Sequence, residues 1–158
     1  LVAYLVEVGF PTLLAAGVFG ALGIISTVGM MTVGMLAERF GERLIATLSY
    51  SCSIIGVGLL ALLDGRPNMG LLIAFALVFG TVSGSRGPLV AVLSSRRFGG
   101  AAQATVYGSV LLAMGIGGAI AGWATGALHD LTGAYHAGFA VSALAALGGM
   151  LLFRSIDV

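Results

Sequence analysis

The chain has 158 residues, 59% hydrophobic and 8% charged, with a net charge of +1 and a mean hydropathy of +1.12. A soluble domain carries about 25% charged residues; this chain has too few to cover a water-facing surface, so its composition implies a lipid solvent. The near-neutral charge excludes a basic field for nucleic acid, lone Cys52 excludes an internal disulfide, and no Cys/His cluster calls for a metal or other cofactor.

Residues 1–10 read as the end of a helix. They lack the basic n-region and small-residue cleavage site of a signal peptide, and the opening at Leu1 is expected to lie inside a longer hydrophobic protein. Apolar runs follow at 12–37, 44–63, 69–93, 105–128 and 137–153. Between them lie the charged stretch 38–43, the turn Asp64-Gly65-Arg66-Pro67-Asn68, the polar loop 94–104 and the turn 129–136. A spanning helix needs about 20 apolar residues, with a range of about 17–25, and the runs are near this range. Membrane strands would need alternating segments of about 9–11 residues, which these are not. The expected fold is therefore all-α: one polytopic membrane domain over residues 1–158, with five transmembrane helices plus a helix stub.

Arginine placement sets an orientation. One set of helix ends carries Arg39, Arg43, Arg96, Arg97 and Arg154, and the other carries only Arg66. The arginine-rich side is expected to be cytoplasmic, with the C-terminus on that side.

Three stretches stand out. In Gly34-Met35-Leu36-Ala37-Glu38-Arg39-Phe40-Gly41-Glu42-Arg43, a small residue near a helix end permits close packing, and an acid with two arginines can make charge-assisted bonds to neighbouring helix ends. A plain charged loop of the positive-inside kind is the alternative reading. In Gly80-Thr81-Val82-Ser83-Gly84-Ser85-Arg86-Gly87-Pro88, Arg86 is an ionisable group well inside an apolar run, costing about 2.5–3.5 kcal/mol or more at a helix centre. Pro88 cannot donate to the Gly84 carbonyl, and small polar neighbours such as Ser83 and Gly84 suit a cavity wall. An anion contact and a structural ion pair are both open for Arg86; snorkelling toward the interface is the bland reading. In the fourth run, Gly118, Gly122 and Gly126 share one helix face, either as simple packing or as a rocking surface. Tyr107, with Gln103 and Ser109, is among the few polar groups of that run able to reach a pathway. Glu7, His129, Asp130, Tyr135 and His136 read as interfacial or solvated groups.

The first stretch resembles the signature loop of the major facilitator superfamily through Gly34, Leu36, Ala37, Arg39, Gly41 and Arg43, with Glu38 in place of the usual aspartate and Glu42 in place of a usual basic residue. The order of features from Gly80–Pro88 through Arg96-Arg97-Phe98-Gly99, Gly117-Gly118, Gly122-Trp123 and His129–Tyr135 is similar to bacterial members near the monocarboxylate and oxalate–formate group. That resemblance implies the C-terminal half of a twelve-helix transporter in a bacterial inner membrane, working by alternating access. Some monocarboxylate carriers have an arginine just before the signature loop; Met30 stands at the matching place here.

The expected function is secondary transport of a small organic solute, a carboxylate or other anion, with no enzymatic step: the chain has no Walker loop, no H-E-x-x-H and no G-x-S-x-G. The expected partners are the bilayer, the solute, and a missing N-terminal six-helix half or a second copy. The alternatives are a non-transporting helix-interaction module and an oligomeric pore.

Overall fold

Glycine and proline decide where the helices stop. A computed structural model describes residues 1–63, 67–97, 101–133 and 135–155, and the side chains of all of these except 93–97, 101 and 155. Its helices are α1 (Val2–Val8), α2 (Thr12–Phe40), α3 (Glu42–Leu62), α4 (Met69–Ser83), α5 (Arg86–Arg97), α6 (Ala101–Thr132) and α7 (His136–Ser155). Gly9 ends α1 at φ 110°, and Pro11 then starts α2. Gly41, at φ 90°, is the single residue between α2 and α3. Gly133, at φ 65°, follows α6. A residue with a Cβ is strained at these angles, so the sharp turns require glycine. Asn68 caps α4, its side-chain oxygen accepting from the N–H groups of Gly70 at 2.9 Å and Leu71 at 3.4 Å.

Among the described residues, five spans are long and apolar enough to cross a membrane: α2, α3, α4 continued into α5 as far as Val92, most of α6, and α7. Among the described residues there is no strand. The architecture is the all-α membrane bundle expected from the sequence. Helix α2, at 29 residues, is about 44 Å long; it exceeds the ~30 Å hydrocarbon core, which a tilt accommodates. Its hydroxyls donate back to their own helix, Thr27 to the Gly23 carbonyl at 2.9 Å and Thr32 to the Gly29 carbonyl at 3.0 Å. Polar groups are thereby satisfied without water, as lipid demands.

Helix α4 packs between α2 and α3, and α3 packs in turn on α7. The α2–α4 seam closes on backbone. A Cβ at Gly29 would overlap the Thr81 carbonyl, one at Gly84 would sit 2.8 Å from the Ser26 carbonyl oxygen, and one at Gly80 would sit 2.9 Å from Ile25. Gly56 does the same for the α3–α4 seam, where Phe79 would lie 3.0 Å away. These glycines replace side-chain packing by direct helix contact.

Buried side chains gather at the two ends of the bundle. Tyr4, Leu5, Phe10, Leu22, Leu63, Leu72 and Phe75 belong to one cluster; Ala37, Ile45, Ala46 and Leu89 form the other. At the first end the Tyr4 hydroxyl donates to the Leu60 carbonyl at 2.6 Å, and its ring meets Tyr135 and Phe139 edge-on, each at 5.1 Å. Glu7 is exposed, as expected of an interfacial group, whereas His129 is half-buried in α6 rather than in a solvated loop. Nε2 of His129 lies 3.3 Å from the Glu7 carboxylate, because α1 folds back beside the end of α6. Helix α6 is otherwise loosely held, with no buried residue among those described.

Overpacking a tight core costs about 1–3 kcal/mol. Gly29→Ala is expected to lower the stability of the chain in micelles by that amount. Gly118→Ala, which has open space around it, is expected to leave it unchanged or slightly raised. Denaturant titration of the two variants checks the contrast.

Candidate substrate site

The polar centre of the molecule is built from the middle of α3 and the break between α4 and α5. On α3, Ser49 and Ser53 lie one turn apart, and the Ser53 hydroxyl donates to the Ser49 carbonyl at 3.0 Å. Across from them the helix stops at Ser83 and restarts at Arg86. Ser85, fully buried, holds the break: its hydroxyl donates to the Val82 carbonyl at 2.7 Å and lies 2.9 Å from the Ser49 hydroxyl. Pro88 brings no N–H to the first turn of α5, a position where a helix has no use for one.

The break puts Arg86 at the N-terminus of α5 with its side chain reaching α3. Nη2 donates to the Ser53 hydroxyl at 2.6 Å, and the guanidinium lies over the Tyr50 ring, 4.8 Å from its centroid. Nε is buried and has no hydrogen-bond partner among the described residues. No carboxylate lies within ion-pair distance of Arg86 among the described residues. The helix N-terminus adds its own positive end to the arginine charge. The cation is therefore oriented by a hydroxyl and an aromatic face, with no neutralising carboxylate among the described residues.

Arg86 lines a cavity of about 670 Å³ between α3, α4, α6 and α7. Phe75 and Phe79, stacked at 5.3 Å, form part of its wall with Met114 and Phe139; Tyr50 and Ser53 bring polar atoms to it. A mostly apolar cavity with one oriented cation is chemically suited to an organic anion.

The other residues singled out in the sequence lie elsewhere. Ser83 is exposed and its hydroxyl donates to the Gly80 carbonyl at 3.1 Å; Gly84 packs on α2. Tyr107 sits one turn before Val110 on α6, and Val110 rather than Tyr107 lines the cavity. In the signature loop, Gly41 makes the turn, Glu38, Arg39 and Arg43 are exposed, and the Arg39 guanidinium lies 5.8 Å from the Phe40 ring centroid. Gly34 has open space beside it. Glu42 is 95% covered, so it is not the exposed loop charge its position implied. Gly118, Gly122 and Gly126 have nothing within 4 Å of an added Cβ. Met30 reaches the break, its Cε 3.5 Å from the Cβ position of Gly84. Tyr50 and Ser53 were missed by sequence reasoning. The signal was the run Ser49-Tyr50-Ser51-Cys52-Ser53, the densest hydroxyl patch of its span.

No family model matches the chain, and no solved structure matches it significantly. Along its whole length it is similar to monocarboxylate transporter 12. The human protein is 28% identical over 160 aligned residues, covering 99% of this chain and 30% of that protein. The Xenopus laevis protein is 31% identical over 164, covering 99% and 33%. The Rattus norvegicus protein is 30% identical over 164, covering 99% and 31%. The chain thus spans about a third of the length of the curated relatives it matches. These likenesses, at low identity, are to membrane transporters.

Ser53→Ala removes the hydroxyl that holds Arg86. A hydrogen bond to a charged group contributes about 1.5–3 kcal/mol, and partial exposure brings the expected loss toward the lower figure. Thermal unfolding of the variant in lipid nanodiscs reads it, with Ser109→Ala, an exposed hydroxyl bonded only within its own helix, as the neutral comparison.

Proposed function

We propose that this chain is the C-terminal half of a major facilitator-type secondary transporter that carries a small organic anion by alternating access. The observation that carries the reading is Arg86: a guanidinium oriented by Ser53 and Tyr50, with no described carboxylate in reach, at the wall of an apolar cavity. Five membrane-spanning helices and the whole-length likeness to proteins named as monocarboxylate transporters support it. Broken helices beside a cavity recur at transporter substrate sites.

In this reading Arg86 binds the anion, while Ser83, Gly84 and Tyr107 shape its approach as the bundle moves. The signature-loop residues Gly34, Glu38, Arg39, Gly41 and Arg43 steady the α2–α3 turn at the membrane surface. The open Gly118, Gly122 and Gly126 face of α6 packs on the N-terminal six-helix half or on a second copy. The arginine-rich helix ends and the C-terminus lie in the cytoplasm, an orientation that the arginine asymmetry supports. The bacterial inner membrane as the setting rests on the resemblance of motif order. No chemical step on the solute is proposed.

Flux of radiolabelled small carboxylates into proteoliposomes tests the reading, with the chain reconstituted alone and as part of its full reading frame. Flux is expected from the full frame only. Loss of a charge-assisted contact of about 1.5–3 kcal/mol corresponds to roughly 10–100-fold. Arg86→Ala is expected to lower carboxylate flux by that factor, and Arg86→Lys to recover part of it. Unchanged flux in Arg86→Ala sinks the anion assignment; flux from the chain alone replaces the half-carrier with an oligomeric pore.

A further inference from the structure

The Arg86 cavity has a polar end and an apolar end. On α3, Tyr50 and Ser53 meet the guanidinium, and the same wall runs on to Leu60. Ser53 and Leu60 are about 10 Å apart along that helix. At the Arg86 end the Tyr50 ring is held in place, since it also abuts α7, where a Cβ at Gly149 would come 2.8 Å from it. At the Leu60 end the wall is hydrocarbon: Leu60 and Phe75 share one buried cluster, Phe79 and Phe139 pack against it, and Phe75 stacks on Phe79. The wall's serine and threonine protons are already committed. Ser53 donates to the Ser49 carbonyl at 3.0 Å, Thr125 to the Ala121 carbonyl at 2.7 Å and Ser142 to the Gly138 carbonyl at 2.8 Å. Arg86 is the only charged side chain among the described lining residues.

We infer that the site selects monocarboxylates with a bulky aromatic body, of the phenylalkanoate kind, over short-chain acids, dicarboxylates and amino acids. The inference rests on Arg86 as the anion contact and adds what the rest of the cavity asks of the solute. Cavities of about 300–1,000 Å³ enclose drug-sized ligands, and this one holds about 670 Å³. An acid of two or three carbons bound at Arg86 leaves the Leu60 end unfilled. A carboxylate carrying a ring on a short chain reaches both ends and gains by burying the ring against Phe75, Phe79 and Phe139. One cation neutralises one negative charge. A second carboxylate would lie against hydrocarbon unpaired, and so would an ammonium, because the described lining has no Asp or Glu to receive it.

Equilibrium binding of tritiated 3-phenylpropionate to the full reading frame in lipid nanodiscs tests the assignment, with unlabelled acids as competitors. From benzoate through phenylacetate to 3-phenylpropionate, affinity is expected to rise about fourfold per methylene. Propionate should compete about 10–100-fold less well than 3-phenylpropionate, for want of the ring. Phenylsuccinate and phenylalanine, which add a second carboxylate and an ammonium, should each compete at least about tenfold less well. Arg86→Ala should weaken every acid. Ser142 lies about 10 Å from Gly149 along α7, toward the apolar end, and is itself exposed. Ser142→Phe fills that end, so it should shrink the gap between 3-phenylpropionate and propionate, with helix content checked by circular dichroism. Binding that needs Arg86 but is no tighter for 3-phenylpropionate than for propionate overturns the proposal and leaves the anion reading standing. A gap that Ser142→Phe leaves unchanged, or no binding of the labelled acid, also overturns it. Binding indifferent to Arg86→Ala removes both readings.

Discussion

Everything in this bundle hangs on how closely α4 approaches α2. In lipid the hydrophobic effect gives no reason for one apolar helix to prefer another, so contact depends on shape and on buried polar groups. Gly29, Gly80 and Gly84 remove the side chains that would hold the two backbones apart, and Gly56 lets Phe79 close on α3. With α4 wedged in this way, its end at Ser83 is delivered to the serines of α3. A bulkier residue at Gly84 would push the break away from Ser26 and carry Arg86 away from Ser53.

The break resolves a conflict. An unbroken helix through residues 69–92 would hold every backbone group but would leave Ser85 and Arg86 to whatever faced them. Stopping at Gly84 releases backbone bonds in a medium with no water to replace them. Ser85 compensates by bonding to Val82 and Ser49, and Ser53 compensates Arg86. The serine hydroxyls of this centre thus satisfy one another, while Arg86 keeps Nε unpartnered and meets no carboxylate among the described residues. An ordinary buried ion pair would have satisfied Arg86 more fully.

Much of this was legible in the amino-acid order. Length and apolarity of the runs are enough to read an all-α membrane bundle, because the bilayer allows few alternatives. Arg86 could be singled out because a charge inside an apolar run must have a reason. Its partners could not, since Ser53 and Tyr50 are 33 and 36 positions earlier and nothing in local pattern fixes which faces of α3 and α5 meet. The glycines show the same limit. Gly118, Gly122 and Gly126 have the regular spacing that draws attention, yet in this chain they face open space; Gly80 and Gly84 share that spacing and do pack, while Gly29 lacks it and sits at the tightest contact. Spacing identifies a face that can pack, and only the neighbouring helix decides whether it does. Glu7 and His129 fail for a third reason: 122 positions separate them, and their meeting depends on the Gly9–Pro11 turn folding α1 back on the bundle.

The two ends of the bundle are therefore held by different physics. At the arginine-rich end, Ala37, Ile45, Ala46 and Leu89 pack as small aliphatic groups around the one-residue Gly41 turn, a join with little freedom to open. At the other end α1, α3, α6 and α7 meet through aromatic edges and a pair of titratable groups. Aliphatic packing is non-directional and depends on volume, whereas aromatic edges and an acid beside an imidazole are directional contacts. Helix α6 packs on α7 and α5 and contributes no buried residue among those described. Val110 and Met114 on that helix line the Arg86 cavity, so movement of α6 reshapes the wall facing the cation. The Glu7–His129 contact and the oriented arginine lie at different places in the bundle, and α6 is the element that reaches both.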